Sequence, residues 1–458
     1  MATTKAATPS QLFGTDGIRG QANSYPITPE IALQVGKAIA RVSEAQGKGA
    51  RRALIGKDTR LSGYMLETAL TSGLVSMGME VFLVGPIPTP SVAHLTRSMN
   101  ATVGIMLTAS HNPFDDNGIK IFDGEGFKLS NELETRIERY VLSGNQAADH
   151  IRSEHLGKAF RIDDARGRYI EYAKQSIQNQ SLQGMKVVLD CANGAAYLIG
   201  PWIIKELGAE VVKTGTEPDG RNINAGCGAL HPENIAAMVR DGGADVGIAF
   251  DGDADRVIFC DAGGNLVDGD RVLAMCAIDF KQRGLLATDT VVVTIMSNLG
   301  LHDAMHRHGI EVVTTPVGDR HVIERMRANG SNLGGEKSGH TIFMDHATTG
   351  DGIITALQVL RLMKQTGKPL AQLAACMEEY PQRLVSLRVR EKRPIDQLPQ
   401  TSRALRECEE ELCGQGRVVV RYSGTEPKIR VLVEAKREDI VSRWTERLTA
   451  TVREEIGE

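Results

Sequence analysis

At 458 residues the chain is too long for one ordinary core, and its length suits about three or four domains. A formal charge of −4 without a basic block argues against a nucleic-acid footprint, and seven scattered cysteines with no Cys-x-x-Cys pair exclude an obvious zinc site or a complete disulfide framework. No apolar run approaches the roughly 18 residues a membrane span needs, and Met1 to Ser10 reads as a ragged polar terminus with no signal peptide. The composition therefore predicts a soluble, cytoplasmic protein in a reducing compartment, bound to neither nucleic acid nor membrane.

In chain order, Leu12 to Gly20 is a Gly-rich turn carrying Arg19, followed by a helix with Pro29 in its first turn and Ile31, Val35, Ile39 and Val42 at helical spacing. Ala53 to Gly56 reads as a strand ending in Lys57–Arg60, then a helix from Ser62 to about Met77 and a strand from Glu80 to Val84. The apolar run Ala101 to Leu107 predicts a buried strand, and the turn signal Asn112–Pro113 ends the loop after it, so Ser110 should lie at the carboxyl end of a strand. The strand–loop–helix–strand unit returns at Lys186–Lys213 and at Thr290–Thr314, which suggests three related α/β domains. The polar stretch from Ser143 to Gly167 reads as the first boundary. After Pro381 the pattern changes to strand (Leu384 to Val389), helix (Thr401 to Cys413), two strands (Arg417 to Arg421, Ile429 to Glu434) and a terminal helix, a smaller α+β domain.

Four stretches carry chemistry. Asp251–Arg256 (DGDADR) follows the strand-like run Ala244 to Phe250, and its three carboxylates at alternate positions would share one face of an extended chain. Oxygen-only ligands favour a hard ion such as Mg²⁺. An EF-hand does not fit, because Arg256 stands where its Gly belongs and Ala262 where its bidentate Glu belongs. Three carboxylates leave Mg²⁺ with coordination to fill, and a phosphorylated Ser110 in Thr108–Pro113 (TASHNP) would supply a phosphate oxygen. In Gly334–His340 (GGEKSGH), Glu336 and Ser338 could grip sugar hydroxyls, or an amino group in the case of Glu336. In Arg421–Pro427 (RYSGTEP), Ser423, the Gly424 amide and Thr425 can cradle an anion, with Arg421 adding a forked donor. No Walker A pattern occurs.

Together with FGTDGIRG (Phe13–Gly20) and the extension to RYSGTEPKIRV (Arg421–Val431), these motifs resemble the α-D-phosphohexomutase superfamily, and within it the glucosamine branch. The resemblance implies an α/β fold of three similar domains with mixed sheets, 11–158, 159–262 and 263–380, plus a smaller α+β domain, 381–458, around a central cleft. It implies phosphoserine at Ser110, Mg²⁺ on Asp251, Asp253, Asp255 and the serine phosphate, and substrate contacts from Arg256, Glu336 and Ser338. A distal phosphate site would comprise Arg421, Ser423, Gly424, Thr425 and Arg430, with Lys120 and His340 in proton transfer, Arg19 beside them, and His111 as a positioning residue because adjacent side chains of an extended stretch point apart.

The implied reaction interconverts glucosamine 6-phosphate and glucosamine 1-phosphate through glucosamine 1,6-bisphosphate, serving amino-sugar nucleotide and peptidoglycan precursor synthesis. The partner is then a small hexosamine phosphate, with a homodimer left open. Lys337 departs from the Gln common in that branch. A phosphomannomutase/phosphoglucomutase, a phosphatase using phosphoserine and a non-catalytic sugar-phosphate sensor are the alternatives.

Overall fold

The computed structural model describes residues 12–14, 16–44, 51–143, 151–423 and 427–458. They form two compact units, Met1–Met296 with Gly309–Cys376, and Ser297–His308 with Met377–Glu458. Among the described residues no helix is long and apolar enough to cross a membrane.

The larger unit holds three sheets, and one arrangement recurs in each. In the first, strands Glu80–Pro86, Arg52–Lys57, Val103–Leu107 and Asp116–Asp123 lie side by side in that order, the first three parallel and the last antiparallel. Glu210–Thr214, Lys186–Asp190, Val246–Phe250 and Val257–Asp261 repeat this order and these directions. So do Glu311–Thr315, Thr290–Thr294, Leu333–Gly335 and Thr341–Phe343. The predicted threefold repetition and mixed sheets are therefore present. Each central strand is buried along its whole length or nearly so, which is why it reads as a continuous apolar run rather than an alternating one.

On the first sheet, helices Pro29–Glu44 and Ser62–Val75 meet backbone to backbone. A Cβ at Gly73 would stand 2.2 Å from the Leu33 carbonyl oxygen, and one at Gly36 would stand 2.6 Å from that of Leu70, so only glycine permits the crossing. Val35, Ile39, Leu66 and Leu70 fill the core beneath.

Several elements depart from the sequence reading. Asp116–Asp123 forms a hairpin partner to Val103–Leu107. Ala159–Arg161 adds to the far edge of the first sheet, beyond the boundary expected at residue 158. Ala165–Gln175 is a helix that begins inside the boundary stretch expected from Ser143 to Gly167 and runs past it, with Ala165, Tyr169, Ile170 and Ala173 buried. The expected third-domain helix, observed at Leu299–Arg307, belongs to the smaller unit. Its Asn298 cap accepts from the Tyr380 N–H and donates to the Tyr380 carbonyl, and the Leu299 N–H donates to Glu434 Oε1 at 2.7 Å. The rest of that unit is an antiparallel sheet, Gln382–Arg388, Lys428–Ala435 and Gly416–Tyr422, backed by helices Pro399–Leu412 and Glu438–Ile456 around Val431, Val433, Trp444 and Leu448.

Asp351 joins two of the repeats. It caps helix Gly352–Thr366 by accepting from the Ile354 N–H at 2.9 Å, and it accepts from the Tyr169 hydroxyl at 2.7 Å. Burial, opposed by those hydrogen bonds, pushes its carboxyl up to about 6. Because an unfolded Asp titrates near 4, the folded chain binds this proton more tightly, so the stabilisation is complete below about pH 4 and is lost as pH rises to about 6. Asp351→Asn, neutral throughout and still able to accept from Ile354, should remove that slope and be the more stable form near neutral pH by up to about 3 kcal/mol. Chemical denaturation of both proteins at pH 4.5 and pH 7.5 checks this; an equal gap at the two values would refute it.

Candidate active site

In each repeat the motif loop occupies the same place, between the third parallel strand and its antiparallel neighbour. Thr108–Pro113 follows Val103–Leu107, Asp251–Arg256 follows Val246–Phe250, and Glu336–His340 follows Leu333–Gly335. One topology thus delivers three chemically different loops from the carboxyl ends of strands.

Ser110 is buried and left-handed, with φ +53°. Its Oγ donates to Asp251 Oδ2 at 2.7 Å and lies 3.2 Å from His111 Nδ1. The left-handed turn brings these neighbouring side chains together, so the expectation that Ser110 and His111 point apart does not hold. Burial, with Arg256 and Arg19 adding repulsion, pushes His111 down to about 4, which leaves it neutral near pH 7. Arg19, on strand Gly17–Gln21, donates from Nη1 to the Ala109 carbonyl at 3.3 Å and pairs with Asp16.

Asp251, Asp253 and Asp255 are all buried and offer oxygens within 4.8 Å of one another. They converge because the chain turns, with the Ala254 N–H donating to the Asp251 carbonyl and Ala254 at φ +56°, and not because it stays extended as the spacing suggested. Lys120, 1 % exposed on the hairpin strand, donates to Asp253 Oδ2 at 2.9 Å and to Asp255 Oδ2 at 3.2 Å. Thr89 donates to Asp253 Oδ2 at 2.6 Å, and the Arg256 N–H to Asp251 Oδ1 at 3.2 Å. Asp253 Oδ1 and Asp255 Oδ1 are buried with no hydrogen-bond partner. Two orphaned carboxylate oxygens beside a third carboxylate form a hard, anionic donor set that fits a divalent cation.

The charges propagate beyond these loops. Burial and the neighbouring Asp255 and Asp253 charges push Asp251 well above the usual carboxylate range. Burial would also raise Asp255, but Lys120 and His340 hold it well below that range. Lys120 is pulled down by burial and held up by Asp16, Asp253 and Asp255, with a net rise, so it keeps its proton. It contacts Asp16 at 3.4 Å; Asp16 pairs with Lys128, and Lys128 reaches Asp319 at 2.6 Å. His340 then closes a ring, with Nε2 3.7 Å from Asp319 and Nδ1 3.8 Å from Asp255. Burial lowers the His340 pKa while Asp255 and Asp319 raise it further, yet the Gly350 N–H donated to Nε2 at 3.1 Å favours the neutral Nδ1–H form. Lys128, Asp319 and Thr89 had no sequence signal, each being a single polar residue outside the motifs, while Asp16 sits within FGTDGIRG but was not singled out there.

Glu336 is buried and accepts the Gly318 N–H at 3.1 Å, while Ser338 is exposed at the loop tip. In the smaller unit, Arg421 and Arg430 are register partners on adjacent strands. Like charges directly opposite repel, a cost that an anion between them would offset. Burial and then the Arg430 charge lower the Arg421 pKa. Ser423 is buried, and Lys392 donates to its carbonyl at 2.6 Å, adding a cation that the motif did not contain. Gly424 and Thr425 lie outside the described residues.

The four domain models of the phosphoglucomutase/phosphomannomutase family match this chain: alpha/beta/alpha domain I over residues 10–148, II over 167–264, III over 268–380 and the C-terminal domain over 384–451. The chain is 52% identical over 449 residues to the phosphoglucosamine mutase of Pelobacter propionicus, covering 98% of this chain and 99% of that one. It is 51% identical over 448 residues to that of Citrifermentans bemidjiense, covering 98% of each. A phosphoglucomutase/phosphomannomutase family protein from Burkholderia thailandensis shares the fold, with a TM-score of 0.80 at 24% identity over 96% of this chain and 97% of that one.

The cation site is testable by calorimetric titration with Mg²⁺ or Mn²⁺. Asp253→Asn keeps an acceptor for Lys120 and Thr89 but removes one charge, and should weaken cation binding by about tenfold or more. Equal affinity in both proteins would mean that the carboxylates hold no ion.

Proposed function

This chain belongs to the phosphoglucosamine mutase family of phosphohexomutases, and from that premise we propose that it interconverts glucosamine 6-phosphate and glucosamine 1-phosphate, with Ser110 carrying the phosphoryl group. The observation that carries the reading is the Ser110 Oγ, 2.7 Å from a carboxylate of the buried three-aspartate loop. A hydroxyl set against concentrated negative charge suits a group carrier whose phosphate is met by a cation.

Asp251, Asp253 and Asp255 would hold Mg²⁺ together with the serine phosphate. The ion, when bound, neutralises charge and polarises the P–O bond. Lys120, charged and fixed on two of the carboxylates, offers a positive Nζ to the oxygens that gain charge as phosphate moves. Arg19, aimed at the Ala109 carbonyl, adds a second cation beside Ser110. His340, held by Gly350 and Asp255, can move a proton at Nδ1. His111, neutral, donates to or accepts from the Ser110 oxygen.

The reaction needs one site for transfer and one for holding the other phosphate, and Arg421, Arg430 and Ser423, with Gly424 and Thr425, would provide the second. Glucosamine 1,6-bisphosphate is then the intermediate that presents its two phosphates in turn. Glu336 and Ser338 would grip the sugar, with Arg256 beside Glu336. A cytoplasmic location and a role in supplying amino-sugar nucleotides follow from this substrate.

A neutral hexose is the second reading, prompted by Lys337. Its Nζ lies 3.5 Å from Asp268 Oδ2 and its carbonyl accepts the Gly269 N–H, so this departure from the usual Gln is directed at the cap of helix Gly269–Gln282. With Lys337 turned to that cap, Glu336 would be the residue offered to an amino group, which supports glucosamine. Coupled assays on glucosamine, glucose and mannose phosphates decide between the two, and equal efficiency on all three would overturn the glucosamine assignment.

Ser110→Ala should lose essentially all flux while keeping its fold, and turnover above about one per cent of wild type would count against a covalent carrier. Arg421→Ala removes a charge-assisted forked contact worth about 1.5–3 kcal/mol, so KM should rise roughly ten- to a hundredfold for both hexosamine phosphates. Progress curves should also come to depend on added bisphosphate. Wild-type efficiency in both directions would remove this loop from the mechanism.

A further inference from the structure

The loop that carries Ser110 is gripped from below by two residues that no motif contains. Arg60 is 0 % exposed, and its guanidinium is the hub of the loop. Nη2 donates to the Ser110 carbonyl at 3.0 Å and to the Asn112 carbonyl at 2.8 Å. Nη1 donates to the Pro113 and Asp116 carbonyls, and Nε to Asp58 Oδ2 at 2.8 Å. Asn224, from the second repeat, donates through Nδ2 to the same two carbonyls, Ser110 at 2.9 Å and Asn112 at 3.1 Å. Two NH₂ groups and two carbonyl oxygens therefore make a closed square of four hydrogen bonds.

From this square we infer that Arg60 and Asn224 are positioning residues for phosphoryl transfer, imposing the left-handed backbone of Ser110 that aims its Oγ at Asp251. A non-glycine residue at φ +53° is in a sparsely populated region and stays there only when its surroundings hold it. Here the carbonyl of that very residue takes two of the four bonds. The Ser110 N–H takes a fifth, donating to Thr108 Oγ1 at 2.9 Å, and that hydroxyl in turn donates to Asp58 Oδ2 at 2.7 Å. Space is matched as closely: a Cβ at Gly252, beside Asp251, would stand 2.5 Å from the Ser110 carbonyl oxygen and 2.8 Å from Asn224 Nδ2. The square thus fixes the distance between the serine loop and the carboxylate loop, although neither Arg60 nor Asn224 approaches the Ser110 hydroxyl.

The inference rests on Ser110 as the phosphoryl carrier, and the test separates the two ideas. Asn224 has φ +60°, so Asn224→Gly keeps its backbone and deletes only the amide, while Asn224→Asp keeps the shape and cannot donate. In either variant kcat should fall roughly ten- to a hundredfold, with KM for the hexosamine phosphate within about threefold of wild type, because misaiming a reacting atom costs rate rather than binding. Should Asn224→Gly melt early, the Asp variant, with its matched volume, decides. A kcat within about twofold of wild type in a folded variant, or a rise in KM at constant kcat, would overturn the positioning role. If Ser110→Ala is inactive while the Asn224 variants turn over normally, the positioning role alone fails. Flux retained by Ser110→Ala would instead sink the carrier on which it rests.

Discussion

The constraint behind this molecule is the burial of three carboxylates with their oxygens within 4.8 Å of one another. Desolvating even one such charge costs several kcal/mol, and mutual repulsion adds to it. Most of the surrounding architecture compensates for that cost. The hairpin strand Asp116–Asp123 brings Lys120 across to two of the three, Thr89 and the Arg256 N–H donate to Asp253 and Asp251, and Asp251 is driven toward its protonated form. Even so, Asp253 Oδ1 and Asp255 Oδ1 have no hydrogen-bond partner among the described residues. Two such oxygens beside a third carboxylate fit a divalent cation.

The threefold repeat explains how so much charge can be collected in one region. Each repeat ends its third parallel strand in a short loop and turns back in an antiparallel partner, so each exposes one loop at the same end of its sheet. The first loop carries a hydroxyl, the second carboxylates, the third a Glu and a His, while the sheets beneath share one strand order. Lys120, Asp16, Lys128 and Asp319 alternate in sign around these loops, and His340 closes the ring between Asp319 and Asp255 while Lys120 pairs with Asp255.

The chemistry was legible where it sat in contiguous motifs. The apolar run into Thr108–Pro113 and the triplet of aspartates at Asp251–Asp255 located the two central loops from local pattern alone. The placement of Ser110 at the carboxyl end of a buried strand was right, but the extended-chain arguments for His111 pointing away and for the aspartates sharing a face were mistaken, because Ser110 and Ala254 are left-handed. Helix Ala165–Gln175 was hidden because its four buried positions sit among charges, and the hairpin strand because Gly118 interrupts a segment buried on both faces. Lys128 and Asp319, and the role of Asp16 within FGTDGIRG, were illegible for a deeper reason. Each is an unremarkable single charge, and only tertiary folding joins them.

Backbone conformation gives the same lesson in physical form. Among the described residues, five of the eleven non-glycine residues with positive φ, Ser110, Ala192, Asn193, Asn224 and Ala254, belong to the serine loop, the carboxylate loop or the bed beneath them. Residues 192 to 195 are tied into that bed, since the Asn224 N–H donates to the Ala192 carbonyl and the Ala195 N–H to the Gly252 carbonyl. Strain of about 1–3 kcal/mol per residue persists only where several neighbours enforce it. The enforcing groups here are uncharged amides and one fully buried guanidinium whose donors are taken up by carbonyls and Asp58, so they hold the loops without neutralising the carboxylates. Position and charge are thereby handled by separate sets of residues. Such a division would let the charge balance of the site change on binding while the backbone that carries the hydroxyl stays fixed.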